Sequence, residues 1–320
     1  MSELGSISYA VSSAVRLAER ERCEAIVASG PPWEALLVGA LVARRLWLPL
    51  ILDLRDPWSL CLLERQSRSW LEQQRAELLE RWCFAQAEVV LLNTQRSLDD
   101  YRKRYGETLG CRFELLRNHA EVHVAEARAT DGPFRMVMPG RMRDRSMSSG
   151  LLDALRSLRA EGYTAEKLQF EVAAPLTQRA TDALAATGAS DMVVQRPWMP
   201  FADAISWMAS ADLLVVVTPE GDQRIPAKLY ECLMQPSPVL VCGSTPELRE
   251  LTAGMEQVLH CARSDGSAIA SAIRAAIASR DLRVERSARA LSSDVAASRL
   301  ADLLDEVVTT AGVAERPRSE

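Results

Sequence analysis

The sequence predicts an α/β protein of two lobes, each a parallel β-sheet covered by helices, the two facing a cleft and the first lobe incomplete. Three observations carry this expectation. Short, continuously apolar runs alternate with longer amphipathic ones, which is how strands buried on both faces and their crossover helices read. The alternation stops at 118–133, where neither a strand nor a helix period is present, and then restarts. The 320 residues suffice for two domains of ordinary size.

Each element follows in order. "ISYAVSSAVRLAERE" (7–21) is an amphipathic helix. "CEAIVAS" (23–29) is a strand, "PPWEALLVGALVARRLW" (31–47) a helix with Pro in its first turn, and "LPLILDL" (48–54) a strand. A long helical stretch covers about 62–86, then "AEVVLLN" (87–93) is a strand, 95–105 a helix and "CRFELL" (111–116) a strand. After the linker, strands fall near 134–139, 167–173, 191–195, 212–218, 238–242 and 256–260, with helices between them. The tail from Ser264 is helical, rich in Ala and Arg. The expected divisions are 1–125 for the first lobe, 134–285 for the second, and 286–320 for a helical tail crossing back toward the first.

Composition excludes several classes. The chain is 48% hydrophobic and 25% charged, as soluble globular proteins are. No apolar run approaches the roughly 20 residues of a membrane span, and no signal peptide opens the chain. A net charge of −5 gives no general pull toward nucleic acid. The seven Cys lack C-x-x-C spacing and are odd in number, which argues for reduced thiols in a cytoplasm and against a zinc site or disulfide scaffold. Three His make a His-rich metal centre improbable.

Two segments carry chemistry. In "PLILDLRDPW" (49–58) a core strand delivers Arg55 and Asp56 to its end. A site that must hold a charged group in a fixed place needs such a mount. A structural ion pair holding the loop around Trp58 is the competing reading. In "TPEGDQRIPAKLYECLMQPSPVLVCG" (218–243) a strand ends in a polar Gly loop, and Pro226 opens a short helix. Lys228 lies in its first turn, where free N–H groups and the helix dipole also favour a phosphate. Glu231, one turn on, shares its face and can accept from ribose hydroxyls. An ordinary solvated helix with Lys and Glu three apart competes equally.

The segment "RIPAKLYECLMQPSPVL" resembles the donor-binding region of GT-B glycosyltransferases of the family-4 (glycosyl transferases group 1) type. "ASGPPWEALLVGALVARRLWLPLILDLRDPW" is similar to a signature of their amino-terminal lobe. "ELLRNHAEV" sits at the entry to the linker, and "FRMVMPGRMRDRSMSSGLLDAL" resembles the first βα unit of their second lobe. The resemblance runs in order along nearly the whole chain and implies two Rossmann-like lobes. It implies that Arg141, after Gly140, grips the donor diphosphate, with Lys228 as the second cation. The family's following Lys falls near Ser149 and is missing. Glu231 matches the second Glu of the family's paired Glu motif, and Gln223 stands where the first would be, able to hydrogen-bond but not to carry charge. Trp198 and Met199 lie where the nucleotide base is held; a core or lobe-packing role is the competing reading for Trp198. Arg55 stands where many members have a His, so the resemblance implies that it stabilises diphosphate charge or orients an acceptor, and that Asp56 binds an acceptor hydroxyl or serves as base.

The implied activity is transfer of a sugar from a nucleotide diphosphate-sugar to an acceptor hydroxyl, sugar or lipid-linked, in cell-surface polysaccharide or glycolipid synthesis. Configuration is retained, and protein cations replace a metal ion and any cofactor. The first lobe lacks the family's opening βα units, so a separate polypeptide supplying them is an expected partner. The alternative is a non-catalytic relative that binds nucleotide-sugar or completes another protein, which Ser149, Gln223 and the short lobe support. A nucleotide-sugar epimerase shares the two-lobed fold, but its carboxylate and His set is not visible.

The segment 62–86 gathers Trp70, Leu71, Leu78, Leu79 and Trp82 near one face. Its charges balance, whereas membrane-surface helices tend to be basic. The expectation is therefore packing against the sheet, with peripheral membrane contact not favoured and the inner face of a membrane the alternative to a free cytoplasmic location.

Overall fold

The computed structural model describes residues 3–122, 131–140, 142, 147–173, 175–218, 224–281 and 288–313. The chain divides into two compact units, Met1–Asn118 with Asp294–Glu320, and His119–Ser293. In chain order the first run of elements is α1 (Glu3–Glu21), β1 (Ile26–Gly30), α2 (Trp33–Leu46), β2 (Leu50–Leu54), α3 (Leu62–Arg65), α4 (Trp70–Phe84), β3 (Val89–Leu92), α5 (Gln95–Tyr105) and β4 (Arg112–Leu115). The second run is β5 (Phe134–Met138), α6 (Ser149–Ala160), β6 (Leu168–Ala173), α7 (Gln178–Ala185), β7 (Val193–Arg196), α8 (Phe201–Ala209), β8 (Leu213–Val217), α9 (Ala227–Leu233), β9 (Val239–Cys242), α10 (Pro246–Leu251), β10 (Val258–Cys261) and α11 (Gly266–Ala278). The closing helix α12 (Ser293–Val313) belongs to the first unit apart from its first residue.

The first sheet is fully parallel in the order β1-β2-β3-β4. Winding in one direction with right-handed crossovers puts every connecting helix on the same face. The core shows this: Leu36 and Ala40 of α2, Cys83 and Phe84 of α4, and Leu98 and Tyr101 of α5 pack on Leu50, Leu52, Leu54, Val90 and Leu92. The other face, with Ile51, Val89 and Leu91, is covered by Leu303 and Val307 of α12. Among the described residues no strand pairs with the outer side of β1.

The expected single helix over 62–86 is two helices. Ser69 breaks it: its hydroxyl accepts from the Glu72 backbone N–H while Glu72 receives the Ser69 N–H, a reciprocal cap that starts α4 afresh. The expected packing of the Trp70, Leu71, Leu78, Leu79 and Trp82 face against the sheet holds only in part: Leu79 and Trp82 are half-buried against the core of this unit. Trp70, Leu71 and Leu78 are exposed, and α4 buries Ala76, Glu80, Cys83 and Phe84 instead. The prolines expected in the first turn of α2 precede it, both in cis peptide linkages, with Pro32 at the cap position.

The second sheet is parallel in the order β10-β9-β8-β5-β6-β7. The chain starts at β5, winds outward to β7, then returns to β8 on the other side. The carboxyl ends of β5 and β8 therefore flank the point where winding reverses, the place where such sheets bind ligands. Glu171 on β6, fully buried, ties this unit together. Its carboxylate accepts from Arg135 Nε of β5 at 2.6 Å, Arg196 Nε of β7 at 2.7 Å and Trp207 Nε1 of α8 at 2.7 Å. The linker expected at 118–133 lies partly outside the described residues.

Candidate functional site

At the reversal point of the second sheet lies a cavity of about 320 Å³. The end of β6 and the segments following β5 and β7 form one side, through Ala173, Pro139, Gly140 and Pro197, and α8 and α9 form the other, through Trp207, Lys228 and Glu231. Apolar runs in the two strands fix where these loops emerge: β8 is Leu and Val throughout and fully buried, and β5 is buried at every position but Arg135. Gly140 adopts φ +99°, a backbone that a side-chain-bearing residue rarely takes. A Cβ there would lie 3.6 Å from Lys228 Nζ, so the ammonium rests against the glycine.

Lys228 is half-buried. Burial lowers the pKa of its ammonium, against the weaker opposite pull of Cys232 and Glu231. Among the described residues no carboxylate stands within ion-pair distance of it. This is not the solvated surface Lys of the competing reading: it is a cation with reduced hydration in a concave site, and an anion there would restore what burial takes away. Glu231 lines the same cavity. Trp198 is 77% exposed and Met199 lies beside it on the rim, so Trp198 is not a core residue. Phe201, Trp207 and Met208, not singled out in the sequence, complete the apolar wall. Of these only Phe201 belongs to the "PWMPF" run (197–201) that follows β7; Trp207 and Met208 lie further along α8. The Glu171 hydrogen bond fixes the Trp207 ring in that wall. Arg141 and Gln223 lie outside the described residues.

In the first unit, β2 carries Arg55 and Asp56 beyond its carboxyl end, both half-buried. The backbone of Arg55 is held on two sides: its N–H donates to Gly30 O at 2.9 Å, and its carbonyl accepts from Asn93 Nδ2. Its guanidinium pairs with Asp53 at 3.5 Å, a carboxylate that also accepts from Ser29 Oγ at 2.9 Å. Further contacts hold the loop around Trp58. Trp58 stacks on Trp33 with centroids 5.2 Å apart and planes 7° from parallel. Glu80, fully buried, accepts from Ser59 N at 2.7 Å, Ser59 Oγ at 2.5 Å, Tyr101 OH at 2.7 Å and Tyr105 OH at 2.9 Å. Tyr101 OH in turn accepts from Trp58 N at 2.8 Å.

No protein-family model matches this chain, and no curated protein sequence matches it. Solved structures do. Sucrose-phosphate synthase from Thermosynechococcus elongatus matches with a TM-score of 0.65 at 14% identity, over 94% of this chain and 77% of that one. HepE from Anabaena in complex with UDP-glucose gives 0.64 at 15% identity, over 95% and 82%. Trehalose 6-phosphate synthase from Burkholderia multivorans gives 0.66 at 15% identity, over 99% and 78%. With its two parallel sheets of four and six strands, the chain has the GT-B glycosyltransferase fold.

Proposed function

We propose that the protein is a glycosyltransferase of the family-4 type, moving a sugar from a nucleotide diphosphate-sugar to an acceptor hydroxyl in polysaccharide or glycolipid synthesis, with retained configuration. The observation that carries this reading is Lys228, a half-buried cation without a carboxylate partner among the described residues, set against Gly140 in the cavity where the second sheet reverses its winding. The HepE structures hold UDP and UDP-glucose on the same fold.

In this reading the donor diphosphate lies against the Gly140 backbone and Lys228, with Arg141 as second cation. Glu231 and Gln223 receive sugar or ribose hydroxyls, and Trp198 with Met199 covers the base. The departing diphosphate gains negative charge as the glycosidic bond breaks, and fixed cations stabilise that charge more than they stabilise the bound donor. They do so without a metal ion, so turnover is expected to persist in EDTA. Arg55 and Asp56 serve the acceptor: Asp56 takes the proton of the attacking hydroxyl, and Arg55 orients it.

The test is thermal melting with UDP, GDP and ADP, in wild type and Lys228→Ala. At least one nucleotide should stabilise wild type. The variant should bind it about tenfold or more weakly, the effect of one charged contact to phosphate. Equal stabilisation of both proteins, or of neither, overturns the donor site.

A further inference from the structure

A second cavity, of about 360 Å³, lies in the first unit among α1, α2, α4 and the segment after β2. Its apolar lining is Trp33, Leu37, Trp58, Ala76 and Leu79, with Ile7 of α1. The aromatic part is fixed before any ligand arrives. Trp33 opens α2 just beyond β1, and its half-buried ring stacks on that of Trp58, which follows β2. Trp58 is buried and held at both of its backbone groups: its N–H donates to Tyr101 OH at 2.8 Å, and its carbonyl accepts from Arg68 Nη1 at 3.0 Å. The charged lining is two acids and two bases, Glu34, Glu72, Arg68 and Arg75. Glu72 is engaged in the cap with Ser69, and Arg68 pairs with Glu64 at 2.6 Å. Glu34 and Arg75 are exposed, and among the described residues neither has an ion-pair partner. The cavity thus joins a rigid aromatic wall to one free carboxylate and one free guanidinium.

We infer that this cavity binds a neutral pyranose ring. A sugar ring offers an apolar C–H face bordered by hydroxyls, and an apolar wall with a few placed polar groups suits both parts. The Trp33 and Leu37 surface receives the C–H face. Glu34 accepts from hydroxyls and Arg75 donates to them. Two acids and two bases give no net attraction to a charged ligand, so sugar acids and amino sugars gain nothing here. A wholly apolar ligand would strip water from the two free charges and offer them no hydrogen bonds. The inference rests on the reading of Arg55 and Asp56 as the acceptor residues. Neither lines this cavity, yet Trp58 follows Asp56 by two residues. The ring held here is therefore a neighbour of the one that reacts, and the acceptor is a glycoside of two or more sugars.

The test is saturation-transfer NMR and tryptophan fluorescence titration of the full chain without nucleotide. The probes are the methyl glycosides of glucose, galactose and mannose, with glucuronic acid, glucosamine and cyclohexanol beside them. At least one neutral glycoside should bind, and more tightly than the other three compounds. Trp33→Ala should weaken it about tenfold, through loss of the apolar contact. Trp33 also backs Trp58, so two exposed positions give an independent check. Glu34→Gln and Arg75→Gln should each weaken binding about fivefold with melting unchanged. Arg55→Lys and Asp56→Asn should keep the bound ring, because neither residue touches it. Lys228→Ala should bind the glycoside as wild type does, so nucleotide melting reports on the donor site alone and this titration on the second cavity alone. The inference is overturned if no neutral glycoside binds, or if a charged probe or cyclohexanol binds better. It is overturned equally if both rim variants bind as wild type does, or if Lys228→Ala abolishes binding.

Discussion

Replacing Glu171 with glutamine removes the negative charge on which three donors converge. Burial alone pushes the Glu171 carboxyl up, but the hydrogen bonds from Arg135, Arg196 and Trp207 outweigh it and hold it at about 2, against an ordinary 4.5. At roughly 1.4 kcal/mol per unit this corresponds to about 3 kcal/mol of stability at neutral pH. The sign follows from the direction of the shift. The folded state binds this proton less readily than the unfolded chain, so the stabilisation is complete above the unfolded value and fades as pH falls toward the folded one. At about pH 3.5 the unfolded chain is largely protonated at this position, and about 1.4 kcal/mol of the contribution is gone. Glutamine keeps the shape and one acceptor but never titrates. The assay is urea unfolding of wild type and Glu171→Gln from about pH 7 downward, followed by fluorescence. The stability gap should be near 3 kcal/mol at neutral pH and close to half that at about pH 3.5. Every other carboxyl is common to both proteins and cancels in the difference. A gap that stays constant with pH, or that is absent at neutral pH, refutes the reasoning.

Two further substitutions address the first unit. Glu80→Ala leaves the Ser59 N–H and the Tyr101 and Tyr105 hydroxyls without their acceptor and should cost at least about 3 kcal/mol, read as a large drop in melting temperature; a drop of only a degree or two would show that water replaces the carboxylate at no cost. Arg55→Lys and Asp56→Asn should lower turnover with donor affinity and melting temperature preserved, because their contacts matter as charge develops; rate losses that merely track unfolding would reduce the pair to a structural role.

The layout of both sheets was legible because parallel strands are buried on both faces. Runs such as Leu213–Val217 and Val239–Cys242 have no polar residue to confuse the reading. Lys228 and Glu231 were legible as a pair because they sit one helical turn apart in one short segment. What the sequence concealed depends on contacts between distant residues. Nothing local marks Glu80 as buried until Ser59, Tyr101 and Tyr105 converge on it, and nothing marks Glu171 until Arg135, Arg196 and Trp207 do. The error over α4 has the same origin: helical spacing shows that Trp70, Leu71 and Leu78 share a face but not which way that face points. Here the core selected the opposite one, Cys83 and Phe84, because Phe84 fits among Tyr101, Tyr105 and Phe113 with ring centroids 5.6 to 5.7 Å apart. The start of α4, by contrast, was written locally in Ser69-Trp70-Leu71-Glu72.

The unpaired side of β1 gives the first sheet a direction. The Ile26 N–H donates to Pro49 O, and Gly30 O accepts from Arg55 N. In a parallel ladder alternate residues point the same way, so the backbone groups of Val27 and Ser29 face outward. Val27 is also 43% exposed, whereas the β2 and β3 residues Ile51, Leu52, Val90 and Leu91 are sealed on both sides. Opening β1 therefore breaks one ladder, while opening β2 breaks two and exposes apolar surface on both faces. Amide protons should exchange with solvent in that order, outermost strand first, with Val27 and Ser29 ahead of Ile26 and Ala28 within the same strand. The segment holding Arg55 lies one strand inward of this fraying margin. Its geometry is thus kept by the slow-exchanging centre of the sheet rather than by the strand that precedes it in the chain.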